Sequence, residues 1–73
     1  MEINDTIIKR AKFFMDKKLV VHISLKNFKF YNGLIVDINN DFLIIIDEKL
    51  GESPVFFNEI YDLEAREEKR DLK

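Results

Sequence analysis

A glycine inside the strongest strand signal of the chain constrains its fold more than any other residue. Residues 24–47 read SLKNFKFYNGLIVDINNDFLIIID, and Gly33 lies well inside this run. Glycine weakens a strand, because it loses more backbone entropy on folding and has no side chain to pack. A small, strongly bent barrel accommodates it, since one long strand serves both halves of the curled sheet and its corner needs a residue without a Cβ. We therefore predict a structural bend at Gly33.

The length of the chain limits it to one small domain. A chain of 73 residues buries only about 60% of the surface that it exposes when unfolded, so association is a natural source of further stability. The absence of cysteine excludes disulfides and thiolate metal sites and is typical of a reducing, cytoplasmic setting. Residues 1–14 contain no long apolar run, so we expect neither a signal peptide nor a membrane span.

The spacing of apolar residues predicts an N-terminal helix over residues 4–17. Asn4 or Asp5 is its expected N-terminal cap, and lysines suit the dipole at its C-terminal end. One stripe of this helix is apolar and consists of Ile3, Ile7, Ile8, Ala11, Phe14 and Met15. Phe13 instead falls among cations on the polar side, where it is either a lone exposed side chain or a contact to a neighbouring subunit.

Alternating apolar residues and turn residues predict five short strands after the helix. The strands are expected at residues 19–26, 28–37, 42–47, 54–57 and within 58–65, with a tight turn at 39–41. Pro54 would begin the fourth strand, where a missing donor is tolerated. The predicted fold class is mainly β: an N-terminal helix followed by a five-stranded, strongly bent antiparallel SH3-like barrel. Its domain spans residues 1–66, with the barrel at about 18–65, and a charged tail follows at 67–73.

The order and spacing of these elements resemble the Sm and Sm-like (Lsm, Hfq-like) family. The residues that carry the resemblance are Ile23-Ser24-Leu25-Lys26-Asn27, then Gly33-Leu34-Ile35, the turn from Asp37 to Asp41, and the apolar strand from Phe42 to Asp47. The resemblance covers about residues 4–64 and implies the Sm-fold barrel.

The same resemblance implies a ring of six or seven subunits, in which the fourth strand of one subunit pairs with the fifth strand of the next. Ring closure would satisfy apolar edge strands that are otherwise a liability. The expected interface residues are Val55, Phe56, Phe57, Ile60, Tyr61, Leu63 and, on the helix, Phe13. For Phe56 and Tyr61 taken singly, a plain core role is an equal alternative.

The family further implies single-stranded RNA at the inner rim of the ring, read by an asparagine in the second turn and an Arg-Gly pair near the last turn. In this sequence that asparagine position is Asp41, and the Arg-Gly position falls on residues 56–59, which hold neither a cation nor a glycine. A carboxylate only accepts hydrogen bonds, whereas an amide also donates them. The expected base pocket is therefore atypical, with candidate residues Asp37, Asn39, Asn40, Asp41 and Asn58.

Charge is distributed unevenly along the chain. Residues 1–36 hold seven lysines and arginines against three acids, whereas residues 37–73 hold five against eleven. Repeated around a ring, the basic half of the helix would form a positive face for backbone phosphates. Its candidate residues are Lys9, Arg10, Lys12, Lys17 and Lys18. Aromatic side chains offer stacking surfaces for bases without hydrogen-bond readout.

Nothing in the sequence predicts an enzyme. His22 is the sole histidine, no glycine-rich phosphate loop is present, and the carboxylate pairs fall where turns use them for local hydrogen bonds. We expect no catalytic residues, no metal and no cofactor. Two functions stay open: an Sm-like ring that binds single-stranded RNA, and a barrel used for protein assembly without nucleic acid. Both take further copies of the chain as partners, and neither involves a membrane.

Overall fold

The computed structural model describes the backbone of residues 2–66 and the side chains of residues 5–66. It contains a helix, α1 (Glu2–Lys17), followed by five strands, β1 (Val21–Leu25), β2 (Phe30–Ile38), β3 (Phe42–Asp47), β4 (Gly51–Phe56) and β5 (Ile60–Ala65). A 3-10 helix, Phe57–Glu59, joins β4 to β5. The predicted fold class is confirmed, while the predicted tail at 67–73 lies outside the described residues.

The five strands form one antiparallel sheet in the order β4-β3-β2-β1-β5. β4 and β5 follow one another in the sequence, yet they lie at opposite ends of the sheet. They do not pair within the protomer, so each leaves one row of backbone groups unpaired. A sheet with two free edges of this kind offers strands to a neighbour at both ends.

Gly33 is the residue at which β2 passes from one half of the sheet to the other. It pairs with Val21 of β1 on one side and with Asp47 of β3 on the other. The first half of β2 pairs with β1 and the second half with β3, so both halves of the sheet share this strand. A Cβ at Gly33 would overlap the carbonyl group of Ile46, lying 2.7 Å from its carbon. Only glycine fits this position, where β2 changes partner strand, and the bend itself stays a prediction.

The core lies between the two halves of the sheet and under α1. Strict alternation in β1 buries Val21, Ile23 and Leu25, as the sequence pattern predicted. The remaining buried apolar residues are Ala11, Phe14, Ile35, Leu43, Ile45, Val55, Phe57, Ile60 and Leu63. Every element thus contributes to one apolar cluster, as expected for a single small domain.

The helix packs as predicted but begins earlier than predicted. Ala11 and Phe14 are buried, and Ile7, Ile8 and Met15 pack against the core. Because the helix begins at Glu2, Asn4 and Asp5 lie in its first turn, and the predicted cap at these residues is wrong. Acidic and polar residues are also favourable in a first turn, where they face the positive end of the dipole. The polar and acidic residues at positions 4 and 5 therefore indicated the first turn of α1 and not its N-terminal cap.

The end of the helix sets the start of β1. Lys18 has a positive φ of 57°, and the backbone N–H groups of Lys18 and Leu19 donate to Met15 and Phe14 at 3.1 and 3.0 Å. A left-handed residue that returns hydrogen bonds into the last turn is a common helix end. The chain therefore reaches its extended conformation at Val21, two residues later than predicted.

β4 begins earlier than predicted, and Pro54 lies in its middle. Its residues pair with the whole of β3, from Asp47↔Gly51 to Phe42↔Phe56. The Phe57 N–H donates to the Asp41 carbonyl at 3.0 Å. Since hydrogen-bonded pairs alternate along an antiparallel ladder, the nitrogen of Pro54 faces the open edge. Proline is tolerated there because it removes no hydrogen bond within the protomer, so a start of the strand at Pro54 is not required.

Candidate nucleic-acid interface

The turn between β2 and β3 meets the 3-10 helix at one end of the sheet. The hydrogen bond from Phe57 to Asp41 joins the two segments. Beside it lies a shallow depression of about 200 Å³, lined by Asn40, Asp41, Phe56, Phe57 and Asn58. The structure thus brings together three of the predicted base-pocket residues, namely Asn40, Asp41 and Asn58. We call this depression the turn pocket.

Two other predicted base-pocket residues do not line the turn pocket. The Asn39 side-chain oxygen accepts the N–H groups of Asp41 and Phe42 at 2.8 and 2.9 Å, so this amide builds the turn. The Asp37 carboxylate accepts the N–H of Ile38 at 3.0 Å. Both side chains satisfy local backbone donors, as asparagine and aspartate commonly do in turns.

Phenylalanines form the apolar part of the turn pocket. Phe57 is buried and closes its base, whereas Phe56 is 45% exposed. The Phe56 ring lies 5.1 Å from that of Phe42 on the neighbouring strand, a distance typical of favourable aromatic pairs. The exposed ring offers a stacking surface at the rim. Within the lining of this pocket there is no lysine or arginine.

The predicted basic residues are exposed on α1 and at the residue that follows it: Lys9, Arg10, Lys12, Lys17 and Lys18. None of them lines the turn pocket. Phe13 lies among them and is 54% exposed, with the Lys17 ammonium 5.8 Å from its ring centroid. Cation–π contact of this kind holds a lysine over an aromatic face. The helix therefore presents cations and one exposed ring on its solvent side.

A second aromatic surface lies on the hairpin between β1 and β2, and the sequence reasoning missed it. Phe28, Phe30 and Tyr61 are 95%, 60% and 75% exposed. With Lys26 and Lys29 they line a groove of about 530 Å³, which we call the hairpin groove. The alternation of lysine and phenylalanine in residues 26–30 is a signal that could have found it. It was missed because residues 28 and 29 were predicted as strand.

Backbone conformation places Phe28 outward. Residues 26–29 form a tight turn, in which the Leu25 N–H donates to Lys29 at 2.8 Å and the Phe28 N–H donates to Leu25 at 3.1 Å. Phe28 has a φ of 71°, a conformation that glycine or asparagine adopts more readily than phenylalanine. A bulky exposed residue held in this region is strained, and strain of this kind concentrates at functional surfaces.

Near Phe30, hydrogen bonds made by the side chains of His22 and Asp47 hold β2 and the loop that follows β3. The Nδ1 atom of His22 lies 2.7 Å from the side-chain oxygen of Asn32, and the His22 ring lies 5.4 Å from that of Phe30. Asp47 is buried and accepts the N–H groups of Asn32, Lys49 and Leu50 at 2.8, 2.9 and 3.0 Å. The Asn32 N–H contributes most to lowering the pKa of Asp47, while burial acts in the opposite direction. His22 is thus hydrogen-bonded within the sheet.

The predicted interface residues divide into two groups. Val55, Phe57, Ile60 and Leu63 have side chains buried in the protomer core, and their place at a subunit interface stays a prediction. Val55, Ile60 and Leu63 lie in the edge strands β4 and β5, where the pleat points their side chains inward. Phe57 lies in the 3-10 helix that joins these strands. Phe13, Phe56 and Tyr61 are exposed and keep side chains available for contact.

Two further features of the described region concern metals and membranes. Among residues 5–66, no three His, Cys, Asp or Glu side chains are grouped so that they could hold a metal ion. In the part of the chain that the structure describes, no helix is both long and apolar enough to cross a membrane.

Comparison with known proteins identifies the fold. No protein-family model matches the sequence, and no curated protein matches it. The structure is similar to the 1.55 Å crystal structure of the pleiotropic translational regulator Hfq, with a TM-score of 0.68. The match covers 75% of this chain and 90% of the Hfq chain at 13% sequence identity. The chain therefore has the Sm-like fold of Hfq.

Proposed function

We propose that this protein forms a homo-oligomeric ring that binds single-stranded RNA, as a scaffold or chaperone without catalytic activity, inside the cell. The observation that carries the proposal is the pair of free sheet edges, β4 and β5, on an Sm-like fold. A fold by itself does not define a function, so the proposal depends equally on the surfaces that the protomer exposes.

The free edges support a closed ring. β4 and β5 lie at opposite ends of one sheet, so the β4 edge of one protomer can pair with the β5 edge of the next. Such a head-to-tail contact gives a ring when the rotation between successive protomers closes, and an open filament otherwise. Six or seven subunits are the proposed number, by resemblance to the Sm and Sm-like family.

Two surfaces support RNA as the ligand. The helix and the residue after it present five exposed cations, Lys9, Arg10, Lys12, Lys17 and Lys18, which a ring would multiply into a positive face for phosphates. The hairpin groove combines three exposed rings with Lys26 and Lys29. Aromatic rings beside cations form the usual surface for unpaired bases. Most of the other exposed charged residues in the described barrel are acidic, so these two surfaces are distinct from their surroundings.

The proposal is tested by measuring mass and RNA affinity on the same preparation. Light scattering should give a closed oligomer, and single-stranded RNA should bind with an affinity that falls as salt rises. Lys9→Glu and Lys12→Glu, singly and together, should weaken binding and reduce the salt slope by about 0.7 for each phosphate that the helix no longer neutralises. Lys49→Glu, an equal charge change away from the helix, should have a smaller effect. A monomer, or an oligomer without RNA affinity at low salt, would contradict the proposal.

The second candidate function is protein assembly without nucleic acid. The observation that favours it is the turn pocket, which contains the Asp41 carboxylate and has no cation in its lining. A carboxylate repels phosphate, so this pocket differs from the family's pattern. An oligomer that ignores RNA at every salt concentration would support this second function.

A further inference from the structure

We infer that the turn pocket selects guanine among the RNA bases, with Asp41 as the residue that reads it. The inference rests on the proposed function, because it requires that single-stranded RNA binds. It concerns only the base preference of one pocket, and it depends on the side chains that line that pocket.

The chemistry of Asp41 sets the preference. A carboxylate offers two acceptor oxygens and no donor. Guanine is the RNA base whose Watson–Crick edge presents two adjacent donors, the ring N1–H and the exocyclic amino group. Uracil, cytosine and adenine each place an acceptor beside their donor on that edge, and this acceptor would face a carboxylate oxygen. Bidentate hydrogen bonding to a charged acceptor is stronger than pairing between neutral groups.

The backbone holds Asp41 in place for this role. Its N–H donates to the Asn39 side chain at 2.8 Å, and its carbonyl accepts the Phe57 N–H at 3.0 Å. The residue is therefore fixed on both sides by the turn and by the 3-10 helix. Its exposed carboxylate forms no hydrogen bond or ion pair with any other group in residues 5–66. The backbone at this position therefore loses little freedom when a ligand binds, and the carboxylate is free to accept hydrogen bonds from it.

The rest of the pocket complements the other parts of a guanine. Asn40 and Asn58 line the rim, and their amide N–H groups can donate to the O6 and N7 acceptors of the base. The exposed Phe56 ring provides a surface for stacking, and the buried Phe57 closes the base of the pocket. Without a cation in its lining, the pocket has nothing to hold a phosphate. It would read the base while the helix and hairpin cations hold the backbone.

The test compares uridine hexamers that carry one central guanine, adenine, cytosine or inosine. Fluorescence anisotropy at one low salt concentration should show the guanine hexamer binding about tenfold tighter than the all-uridine hexamer. Inosine lacks the exocyclic amino group and should lose most of this preference. Asp41→Asn restores a donor and should remove the guanine preference while keeping or raising the affinity for uridine. Asp16→Asn, an equal charge change on the helix, should shift all affinities alike and leave the preference intact.

The outcomes separate this inference from the proposed function. Failure of every hexamer to bind an assembled protein would overturn both. Equal binding of all bases, or equal binding of guanine and inosine, would overturn the guanine pocket alone. A guanine preference that Asp41→Asn leaves unchanged would also overturn it. The inosine comparison uses the unmodified protein, so it decides the matter even where Asp41→Asn fails to fold or assemble.

Discussion

At the scale of single residues, Gly33 is where the fold is most sensitive. The site has no room for a side chain, because a Cβ would overlap the Ile46 carbonyl group across the sheet. Gly33→Ala should therefore destabilise the protein by about 1–3 kcal/mol or more, as overpacking in a rigid environment does. Urea unfolding at fixed protein concentration measures the change.

Gly51 provides a matched control for Gly33. It has a φ of 80° and open space where a Cβ would lie. Gly51→Ala should cost only the conformational penalty of about 1–2 kcal/mol for a left-handed residue. If Gly33→Ala unfolded at a higher urea concentration than Gly51→Ala, the close approach at the bend would not be the constraint that we describe.

Asp47 is a second residue whose role is set by its surroundings. Three backbone N–H groups lower its pKa below the ordinary value of 3.8. Because the folded-state pKa is the lower one, the carboxylate stabilises the fold fully above the ordinary value. This contribution is lost as the pH falls through the folded-state pKa. The hydrogen bonds of Asp47 connect the loop after β3 to β2, the strand that contains Gly33.

Asp47→Asn should remove this contribution. An amide keeps the shape of the side chain but turns one acceptor into a donor that faces backbone N–H groups. We expect a loss of about 1–3 kcal/mol at neutral pH, measured by urea unfolding. The difference from the unchanged protein should shrink as the pH falls from the ordinary value of 3.8 through the lower folded-state pKa, where the native carboxyl also becomes protonated. Asp62→Asn, an exposed counterpart, should change little, and an equal loss from both would contradict the role of Asp47.

At the scale of elements, the β1–β2 hairpin combines strain with exposure. Phe28 has a positive φ and is almost fully exposed, so its ring contributes little to the core while its backbone is strained. Phe28→Gly should stabilise the protomer by about 1 kcal/mol, because glycine adopts this conformation freely. The same change should weaken RNA binding by about 1–3 kcal/mol through the loss of one stacking ring.

The Phe28 prediction is specific, because Phe28→Gly should raise the free energy of unfolding while it lowers the affinity for RNA. Thermal or urea unfolding gives the first quantity and anisotropy of a labelled oligomer gives the second. Val36→Ala, which trims an exposed apolar side chain on β2, should alter neither by more than about 0.5 kcal/mol. A Phe28→Gly variant that is less stable would show that the ring serves the fold. One that binds RNA normally would show that the ring is not part of the RNA surface.

Some elements were predictable from the sequence because one signal determined them. β3 was predicted at its observed bounds, since its apolar run is flanked by turn residues on both sides. β4 was not, because Gly51, Glu52 and Ser53 carry no strand signal and become strand by pairing with β3. The hairpin groove was missed for a related reason. The exposure of Phe28 follows from a turn conformation that a period-two pattern cannot reveal.

The candidate site was predictable only in part. Its departure from the family at Asp41 was visible in the sequence, as was the absence of a cation at residues 56–59. The separate roles of the asparagines were not predictable, because they depend on which side-chain amide oxygen accepts the backbone N–H groups of the turn. Asn39 builds the turn, which leaves Asn40 and Asn58 at the pocket.

At the scale of the whole molecule, the two free edges are not equivalent. The nitrogen of Pro54 faces outward from β4 and has no hydrogen to donate. On β5, the hydrogen bond from the Arg66 N–H to Val20 at 2.8 Å places the Ala65 N–H on the open side by the same alternation. A β4–β5 ladder between protomers therefore lacks one donor at the middle of β4. Proline on an edge strand is a known means of limiting unwanted pairing.

Changing these donors should alter assembly without altering the protomer. Pro54→Ala supplies the missing N–H, and each interface should gain about 0.5–1.5 kcal/mol, the net value of one hydrogen bond. Ala65→Pro removes a donor from the opposite edge and should weaken each interface by a similar amount. Because a ring repeats its interface at every subunit, both shifts should be visible as changes in the concentration at which light scattering detects dissociation. Unchanged dissociation in both variants, with intact protomers by circular dichroism, would show that these edges do not form the contact between subunits.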